Sequence, residues 1–268
     1  MEQFQQITII GVGLLGASLA KACHRRKLVE TIVGFGRNAD TLKRAELQHV
    51  IDRGTTDLKD AVAEADLVVL CSPVGAIVPR FLEMAPHLKP GCIVTDVGSV
   101  KAMLVRDIEP ALPEGVHYVP AHPIAGAEKS GLDAATVDLY EGARCILTPT
   151  AKTDPGALER IRKFWQDVGM QVQLLDAEEH DFIYGAVSHL PHVVAFALIN
   201  TIGQIKTSNR EDILSLSAGG LRDITRIASS DPVMWRDIFL ANKEHVLDLI
   251  GRLEETLGHI KDLISAGD

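Results

Sequence analysis

The chain of 268 residues has only four cysteines, and it lacks the paired cysteine spacings of a disulfide framework. It also lacks an excess of basic residues, because 27 Lys and Arg stand against 36 Asp and Glu, a formal net charge of −9. A general nucleic-acid-binding surface is therefore not expected, and any anion must be bound at a local site. We expect a protein of the reducing cytoplasm.

The sequence predicts neither an export signal nor a membrane span. Its first residues, Met-Glu-Gln-Phe-Gln-Gln, contain no basic region, and no apolar stretch is expected to approach the roughly 18 residues of a spanning helix. With 46% hydrophobic and 24% charged residues, the composition is that of a globular protein and excludes a disordered chain.

Short β-branched segments alternate with longer helical patterns in the first two thirds of the chain. Uninterrupted apolar strands separated by helices are typical of a parallel sheet covered on both faces, so the sequence predicts a doubly wound α/β domain. The predicted strands are Ile7–Ile10, Thr31–Phe35, Leu67–Leu70, Cys92–Thr95, His117–Pro120 and Arg144–Leu147. A helix from about Asp154 to Val168 and a strand near Gln171–Leu175 are expected to close this sheet.

Beyond Leu175 the strand patterns end and apolar residues recur at helical spacing. We therefore predict an α/β domain over residues 1–175 and an all-helical domain over residues 176–268, with Ser215–Gly220 as a turn between helices.

The last helix carries one apolar stripe that has two possible partners. Its residues recur at intervals of three or four: Val246, Leu249, Ile250, Leu253, Leu257, Ile260 and Ile264. The stripe packs either on the core of the helical domain or on a second subunit, since fewer than about 100 helical residues make a small independent core. We favour a homodimer formed through this domain.

A glycine-rich turn, Gly11-Val-Gly-Leu-Leu-Gly16, directly follows the first predicted strand and opens a helix. The first glycine permits a tight turn, the second allows a pyrophosphate to approach the backbone, and the third allows helix and strand to pack closely. This context predicts a Rossmann-like dinucleotide-binding domain. Its expected cofactor-binding residues are Gly11, Gly13, Leu14, Leu15 and Gly16.

The choice of nucleotide depends on the end of the second strand, where an acidic residue would accept a hydrogen bond from a ribose 2′-hydroxyl. The chain has Arg37 there, beside Asn38, and a guanidinium suits a 2′-phosphate. NADP is therefore favoured, although the nearby Asp40 keeps NAD possible. Ser72 and Pro73 follow the predicted strand Leu67–Leu70, beyond whose carboxyl end the nicotinamide half of a dinucleotide would pass.

Three further segments contain groups that can move or direct a proton: Asp96–Lys101, His122–Gly131 and Ser188–His192. Together with Gly219–Arg226 and Ser230–Trp235, they make the chain similar to the prephenate/arogenate dehydrogenase family, and the similarity runs from the glycine turn almost to the last residue. The resemblance implies a nucleotide-binding domain followed by a helical dimerisation and substrate domain. It also implies oxidative decarboxylation of prephenate, and possibly arogenate, with hydride transfer to NAD(P) in tyrosine biosynthesis.

The resemblance also assigns roles to residues of the first domain. By motif position, His122 is the base on the substrate 4-hydroxyl, a task that suits an imidazole with an ordinary pKa of about 6.5. Ser99 is placed beside the same hydroxyl, and Lys101 supports the loop. Glu128 matches a glutamate near the entrance of the site.

In the helical domain, the resemblance assigns a substrate carboxylate to Arg226, with Arg222 as the second choice. His189 and His192, three residues apart on a helix expected to begin near Ser188, resemble the family's substrate-contacting histidines, and His192 is expected to donate to a pyruvyl group. Half of a zinc site is the other interpretation of this pair, but no acidic or cysteine partner stands at ligand spacing, so no metal is expected.

Two other classes remain open at this point. A β-hydroxyacid dehydrogenase or imine reductase would share the glycine turn and the arginine after the second strand, and a dinucleotide-sensing regulator would need only the turn. The base candidate His122 and the arginine Arg226 favour the first interpretation over both. The sequence does not decide between prephenate and arogenate, and tyrosine could inhibit only by direct competition because no further domain is expected.

Overall fold

The structure is a computed structural model that describes residues 4–127, 129–205 and 219–268. These residues divide into two compact units, Met1–His180 and Asp181–Asp268. The strands are β1 (Phe4–Ile10), β2 (Val29–Phe35), β3 (Arg53–Thr55), β4 (Leu67–Leu70), β5 (Ile93–Asp96), β6 (His117–Val119), β7 (Ala121–Pro123), β8 (Arg144–Leu147) and β9 (Gln171–Leu174). The helices of the first unit are α1 (Leu14–Arg26), α2 (Ala39–Leu47), α3 (Leu58–Val62), α4 (Val74–Met84), α5 (Ala102–Ile108) and α6 (Pro155–Val168).

The main sheet has six parallel strands in the order β3-β2-β1-β4-β5-β6. Its strand order reverses between β1 and β4, and ligands of doubly wound sheets bind outside the carboxyl ends of the strands at such a reversal. The glycine turn follows β1 and Ser72 follows β4, so both lie at this point. The predicted doubly wound α/β fold is confirmed. Strand β3 was not predicted because its three residues are not apolar.

The expectation that the last two strands extend this sheet is wrong. Strands β7, β8 and β9 form a separate three-stranded sheet in which β7 and β8 are antiparallel and β8 and β9 are parallel. The chain passes from one sheet to the other at Pro120, whose ring nitrogen has no hydrogen to donate to a ladder. Strand β8 is apolar and buried like the strands of the main sheet, so periodicity could not separate the two arrangements.

Tyr140, which precedes β8, contacts both the helix that follows the glycine turn and helix α6. The Tyr140 hydroxyl donates a 2.9 Å hydrogen bond to the carbonyl oxygen of Leu15 in the first turn of α1. The Tyr140 ring packs on Trp165 of α6, with ring centroids 5.8 Å apart. Both side chains are fully buried. The first turn of α1 is therefore held by a contact with a buried side chain of the core.

The second unit contains helices only within its described residues. They are α8 (Leu190–Gly203), α9 (Gly219–Ala228), α10 (Pro232–Ala241) and α11 (Lys243–Ala266). Helix α7 (Ala177–Tyr184) precedes them and crosses the division between the units. The predicted turn Ser215–Gly220 falls mostly on residues 206–218, outside the described part of the chain.

One expectation about hydropathy is wrong. Residues Ala177–Gly203 form a helix of 27 residues that is long and apolar enough to cross a membrane by length and composition. The polar residues His189, His192 and Asn200 interrupt the apolar run, but Asp, Glu, Lys and Arg are absent from 185–203, so the mean hydropathy of the helix is high. A single such helix is weak evidence for a membrane.

The apolar stripe of α11 is buried in its first half and exposed in its second half. Val246 and Leu249 are buried inside the unit, whereas Leu257 is 54% and Ile264 is 72% exposed in the single chain. The first half of the stripe thus belongs to the core of the helical unit. The second half has no cover within the described residues.

Candidate active site

The glycine turn leaves open space only at Gly13. Gly11 has φ +106°, and a Cβ atom there would lie 2.9 Å from the carbonyl oxygen of Cys71. A Cβ on Gly16 would overlap the carbonyl oxygen of Gly11 and the side chain of Ile9. A Cβ on Gly13 would meet no atom within 4 Å. Packing of the chain therefore requires two of the glycines, while the third borders space that a ligand can fill.

The groups around this space suit an anionic ligand. Helix α1 begins at Leu14, and its N-terminal N–H groups receive no side-chain cap and no acidic side chain in the first turn. These groups and the positive end of the helix dipole bind anions. Ser72 Oγ is buried at the end of β4 and has no hydrogen-bond partner among the described residues. Pro73 precedes α4 and is exposed. The residues fit a dinucleotide.

Arg37 borders a shallow cavity at the end of β2. The cavity has a volume of about 190 Å³ and is lined by Val12, Gly36, Arg37, Asn38, Thr41 and Leu42. Asn38 Oδ1 accepts a 3.0 Å hydrogen bond from the Thr41 N–H and caps α2, so the Asn38 amide contributes its NH₂ group as a donor. Arg37 is exposed and forms no ion pair within the described residues. Both side chains at this cavity therefore present donors.

A buried ionic network lies behind the carboxyl end of β5. Asp96 and Lys101 are both fully buried and form an ion pair. Asp96 also accepts hydrogen bonds from the Gly98 N–H at 2.7 Å and from the Tyr118 hydroxyl at 2.8 Å. Burial and the Asp96 carboxylate raise the pKa of Tyr118 well above its usual value. The Lys101 ammonium donates to the Ala121 carbonyl at 2.7 Å. The network therefore joins the loop containing Ser99 to β7.

His122 lies on β7, directly after the anchored Ala121, and is partly exposed. Its Nδ1 atom lies 2.8 Å from Nε2 of His180, which is fully buried on α7. Ser99, the second predicted catalytic residue, is partly exposed in the loop after β5. His122 thus combines a contact to a buried histidine with a ring that solvent reaches.

An irregular helical turn includes His189 and precedes His192. The helix expected to begin near Ser188 is α8, which begins at Leu190, but α7 leads into it through a π-helical turn at Gly185–His189 that was not expected. Pro191 has no N–H group and cannot donate a backbone hydrogen bond to the preceding turn. The π turn changes the pattern of backbone hydrogen bonds just before this proline. Proline is common at the first helical position, so the sequence resembled a helix start there.

His189 is held by Asn242, a residue that sequence reasoning missed. Asn242 Nδ2 donates a 2.7 Å hydrogen bond to the Asp181 carbonyl, which fixes the orientation of the amide. The same Nδ2 atom lies 3.0 Å from His189 Nδ1, so Nδ1 accepts and a neutral ring carries its proton on Nε2. His189 is 1% exposed.

His192 has the opposite tautomer. Its Nδ1 lies 2.8 Å from the Ser188 carbonyl oxygen, which can only accept, so Nδ1 carries the proton. The ring stacks on Trp235, with centroids 3.5 Å apart and planes 21° apart. Burial lowers the pKa of His192, and the Arg226 charge lowers it further. The neutral ring therefore presents an acceptor at Nε2, not the donor expected for a pyruvyl group.

The remaining predicted residues are less fully described. Arg226 is exposed on α9. Glu128 and the side chain of Arg222 lie outside the part of the chain that the structure describes. Within that part, no group of three or more His, Cys, Asp or Glu could hold a metal ion.

His180 and Asn242 carried little signal in the sequence. His180 stands in Glu178-Glu179-His180-Asp181, which resembles a solvated helix face, and Asn242 resembles a simple break between two helices. Only the positions of β7 and of the π turn give these two residues a histidine partner.

A doubly wound sheet with an anion-binding glycine turn at its reversal point is typical of enzymes that bind a dinucleotide, and the helical unit that follows contributes two oriented histidines. The family description "Prephenate dehydrogenase, nucleotide-binding domain" matches residues 19–174, and "Prephenate dehydrogenase, dimerization domain" matches residues 176–268. The chain belongs to the prephenate dehydrogenase family.

Individual relatives match over nearly the whole chain. A cyclohexadienyl dehydrogenase of Zymomonas mobilis is 37% identical over 100% of this chain and 91% of its own length. The solved prephenate dehydrogenase from A. aeolicus, in complex with hydroxyphenyl propionate and NAD⁺, is 42% identical with a TM-score of 0.93, over 99% of this chain and 92% of that one. The Synechocystis arogenate dehydrogenase is 30% identical with a TM-score of 0.83, over 98% and 93%. A β-hydroxyacid dehydrogenase or imine reductase is therefore not favoured.

Replacing glycines of the turn should separate packing from ligand binding. Gly13→Ala should leave the melting temperature of the free protein within a few degrees but weaken nucleotide binding at least about tenfold, because the methyl group enters ligand space. Gly16→Ala should lower the melting temperature markedly through overpacking. Thermal unfolding and nucleotide titration measure both effects, and equal destabilisation by the two variants would contradict this assignment.

Loss of the buried ammonium should be costly for stability. Lys101→Met leaves the Asp96 carboxylate buried without its charged partner and should lower the free energy of unfolding by about 3 to 5 kcal/mol. Lys163→Met is the matched control, since Lys163 forms an exposed ion pair with Asp167 on α6. That variant should lose at most about 1 kcal/mol. Denaturant unfolding of both proteins measures the difference, and similar losses would refute the role of the buried pair.

Proposed function

We propose that the chain catalyses the oxidative decarboxylation of prephenate to 4-hydroxyphenylpyruvate in tyrosine biosynthesis. The observation that carries the proposal is the partly exposed His122 on a strand anchored by the Asp96–Lys101 pair, in a chain of this family. Hydride leaves the ring carbon that bears the 4-hydroxyl, the ring carboxylate leaves as carbon dioxide, and the ring becomes aromatic. A bound pyridine nucleotide supplies the hydride acceptor.

The residues of the first unit perform the proton chemistry in this proposal. His122 takes the proton of the substrate 4-hydroxyl at its ring, and Ser99 hydrogen-bonds to the same hydroxyl. General-base catalysis of this kind contributes about 10²- to 10⁴-fold. Lys101 is fully buried in its ion pair, which supports a positioning role and not a role as the base.

The residues of the second unit bind and orient the substrate in this proposal. Arg226 pairs with a carboxylate, for which a planar guanidinium is the best geometric match. His192 contacts the side chain of the substrate, and its stacking on Trp235 limits the orientations that the ring can adopt. His189 supports the same region through its own partner Asn242. We also propose that Glu128, a residue of the first unit, binds the substrate.

For the cofactor, we propose NADP over NAD. Gly11, Gly13 and Gly16 with the first turn of α1, including Leu14 and Leu15, would hold the pyrophosphate. Ser72 and Pro73 would border the nicotinamide half. Donors from Arg37 and Asn38 face the cavity after β2, which supports recognition of a 2′-phosphate.

We further propose a homodimer that works in the cytoplasm. The second half of α11 presents Leu257, Ile260 and Ile264 without cover, and the family description of this unit is that of a dimerization domain. Burial of these side chains against a second subunit would stabilise the dimer by about 25 cal/mol for each Å² of apolar surface removed from water. Val187 and Val194 on the apolar helix 177–203 offer additional surface.

Arogenate is the second candidate substrate, and the tautomer of His192 favours it. Arogenate has an ammonium group where prephenate has a keto group. A neutral ring whose Nδ1 donates to the Ser188 carbonyl has an acceptor at Nε2, which can receive a hydrogen bond from an ammonium group but cannot donate to a keto oxygen. The name of the cyclohexadienyl dehydrogenase relative and that of the arogenate dehydrogenase structure are consistent with both substrates.

The proposal is tested by incubating the purified protein with each pairing of prephenate or arogenate with NADP or NAD. The absorbance of the reduced nicotinamide reports turnover, and chromatography identifies 4-hydroxyphenylpyruvate or tyrosine as the product. Absence of turnover with both substrates would refute the proposed function.

Nucleotide preference should depend on Arg37. A hydrogen bond to a charged group contributes about 1.5 to 3 kcal/mol, or roughly 10- to 150-fold in affinity. Arg37→Ala should weaken NADP binding by this factor and leave NAD binding within about twofold. Titration of both nucleotides into wild type and variant measures the change. Equal affinity of the wild type for the two nucleotides would be inconsistent with NADP preference.

Replacing the base His122 and replacing the carboxylate-binding Arg226 should change different kinetic constants. His122→Ala should lower kcat by about 10²- to 10⁴-fold with nucleotide binding retained. Arg226→Ala should raise the KM for the substrate at least about tenfold, because a substrate carboxylate loses its partner. Steady-state kinetics separates the two effects. If His122→Ala keeps more than about a tenth of wild-type kcat, the base is another residue.

The choice between substrates should depend on pH through His192. Its pKa is lowered by burial, so the ring is neutral at pH 7 and gains a donor at Nε2 only when the pH falls through that lowered pKa. The ratio of kcat/KM for prephenate to that for arogenate should therefore rise as the pH is lowered below about 6.5. Contributions of His122 common to both substrates cancel in this ratio. His192→Gln, which can donate and accept at any pH, should flatten the curve, and an unchanged curve would exclude this role.

A further inference from the structure

We propose that His180 is the positioning residue of His122: it engages Nδ1 of that ring and so presents Nε2 as the nitrogen that receives the substrate proton. This inference rests on the proposed function in one respect, the assignment of His122 as the base. Its structural part, the state of the two rings, can be measured separately.

The geometry of the pair defines which ring can act on a substrate. His122 Nδ1 and His180 Nε2 lie 2.8 Å apart, and the rings meet edge to face with centroids 5.0 Å apart. His180 is 0% exposed, whereas His122 is partly exposed. A group that must reach a substrate hydroxyl has to be accessible, so His122 is the base and His180 stands behind it.

Both rings are attached to backbone that is itself restrained. His122 pairs with Ile146 in the β7–β8 ladder, and Ala121 before it accepts a hydrogen bond from Lys101. His180 belongs to the first turn of α7, where its N–H bonds to the Asp176 carbonyl while Asp176 Oδ1 caps the helix through the Glu178 N–H at 2.8 Å. Contact between two fixed elements holds a ring more precisely than contact with a mobile side chain.

The protons on the pair follow from the task of His122. A base must keep a lone pair on the nitrogen that faces the substrate, so His122 carries its own proton on Nδ1 and donates it to Nε2 of His180. When Nε2 of His122 takes the proton of the 4-hydroxyl, the oxygen keeps the electron pair and the ring becomes an imidazolium. Its Nδ1–H bond to His180 is then charge-assisted and stronger. His180 thus favours the protonated product of the step without contacting the substrate.

Two replacements of His180 distinguish hydrogen bonding from packing. His180→Leu removes the acceptor at similar volume and should lower kcat by about 10- to 150-fold, the factor that corresponds to a hydrogen bond to a charged group. The KM values for substrate and nucleotide should change less than about threefold, since the acceptor contributes mainly in the transition state. His180→Gln can place an amide oxygen near the position of Nε2 and should recover most of the loss. A glutamine variant as impaired as the leucine variant would overturn the proposal.

A double variant tests whether His180 acts through His122. In a His122→Ala background, His180→Leu should have no further effect on the residual turnover, because residues that act as a unit are not additive. A further loss equal to that in the wild-type background would overturn the proposal. His117→Leu is the control for removing a histidine from the same unit, since His117 begins β6 at the end of the sheet opposite the site. It should keep wild-type kcat.

Nitrogen NMR of protein with ¹⁵N-labelled histidine provides a readout that does not depend on turnover. In the wild type, His122 should be the Nδ1–H tautomer, and His180→Leu should shift it towards a mixture of tautomers. An Nε2–H tautomer of His122 in the wild type would overturn the proposal. If the tautomer is as expected but neither prephenate nor arogenate is turned over, the proposed function fails and the contact between the rings stands.

Discussion

Asp96 and Lys101 form an ion pair from which water is excluded on both sides, and the geometry of the first unit depends on it. Taking two charges out of water costs several kcal/mol for each ion, a cost that the pair offsets only when further hydrogen bonds satisfy both partners. Here the Gly98 N–H, the Tyr118 hydroxyl and the Ala121 carbonyl supply them. These partners lie on separate segments, so one interaction positions the loop with Ser99 and the strand with His122 together.

The glycine turn shows a similar division of labour between packing and function. Gly11 and Gly16 are glycines because neighbouring backbone occupies the place of a side chain, and Gly13 is a glycine although nothing in the chain occupies that place. A residue kept small beside open space, with helix N–H groups around it, is best explained by a ligand that approaches the backbone. The buried Ser72 hydroxyl on the other side of the strand reversal points to the same conclusion.

Each histidine in the candidate site has a chemistry determined by a second group. His180 engages His122, Asn242 donates to His189, and His192 donates to the Ser188 carbonyl. Under the proposed function, these partners prepare His122 as a base, His189 as a ring with its proton on Nε2, and His192 as an acceptor. Neither His180 nor Asn242 belongs to a motif that would have suggested it, and the partner of His192 is a backbone carbonyl, a group that every residue has.

The sequence by itself determined the doubly wound domain, the glycine turn, the helical second part and the family, because periodicity and motif spacing are local properties of the chain. Local patterns could not separate the β7–β8–β9 sheet from the main sheet, since the buried strand β8 has the same apolar pattern as the strands of the main sheet. Nor could they show the π turn before Pro191. Tertiary structure alone decided which group each histidine nitrogen meets, because the partners are His180, 58 residues from His122, Asn242, 53 residues from His189, and a carbonyl oriented by the helix. Proton positions depend on hydrogen bonds between elements that meet only in the folded chain.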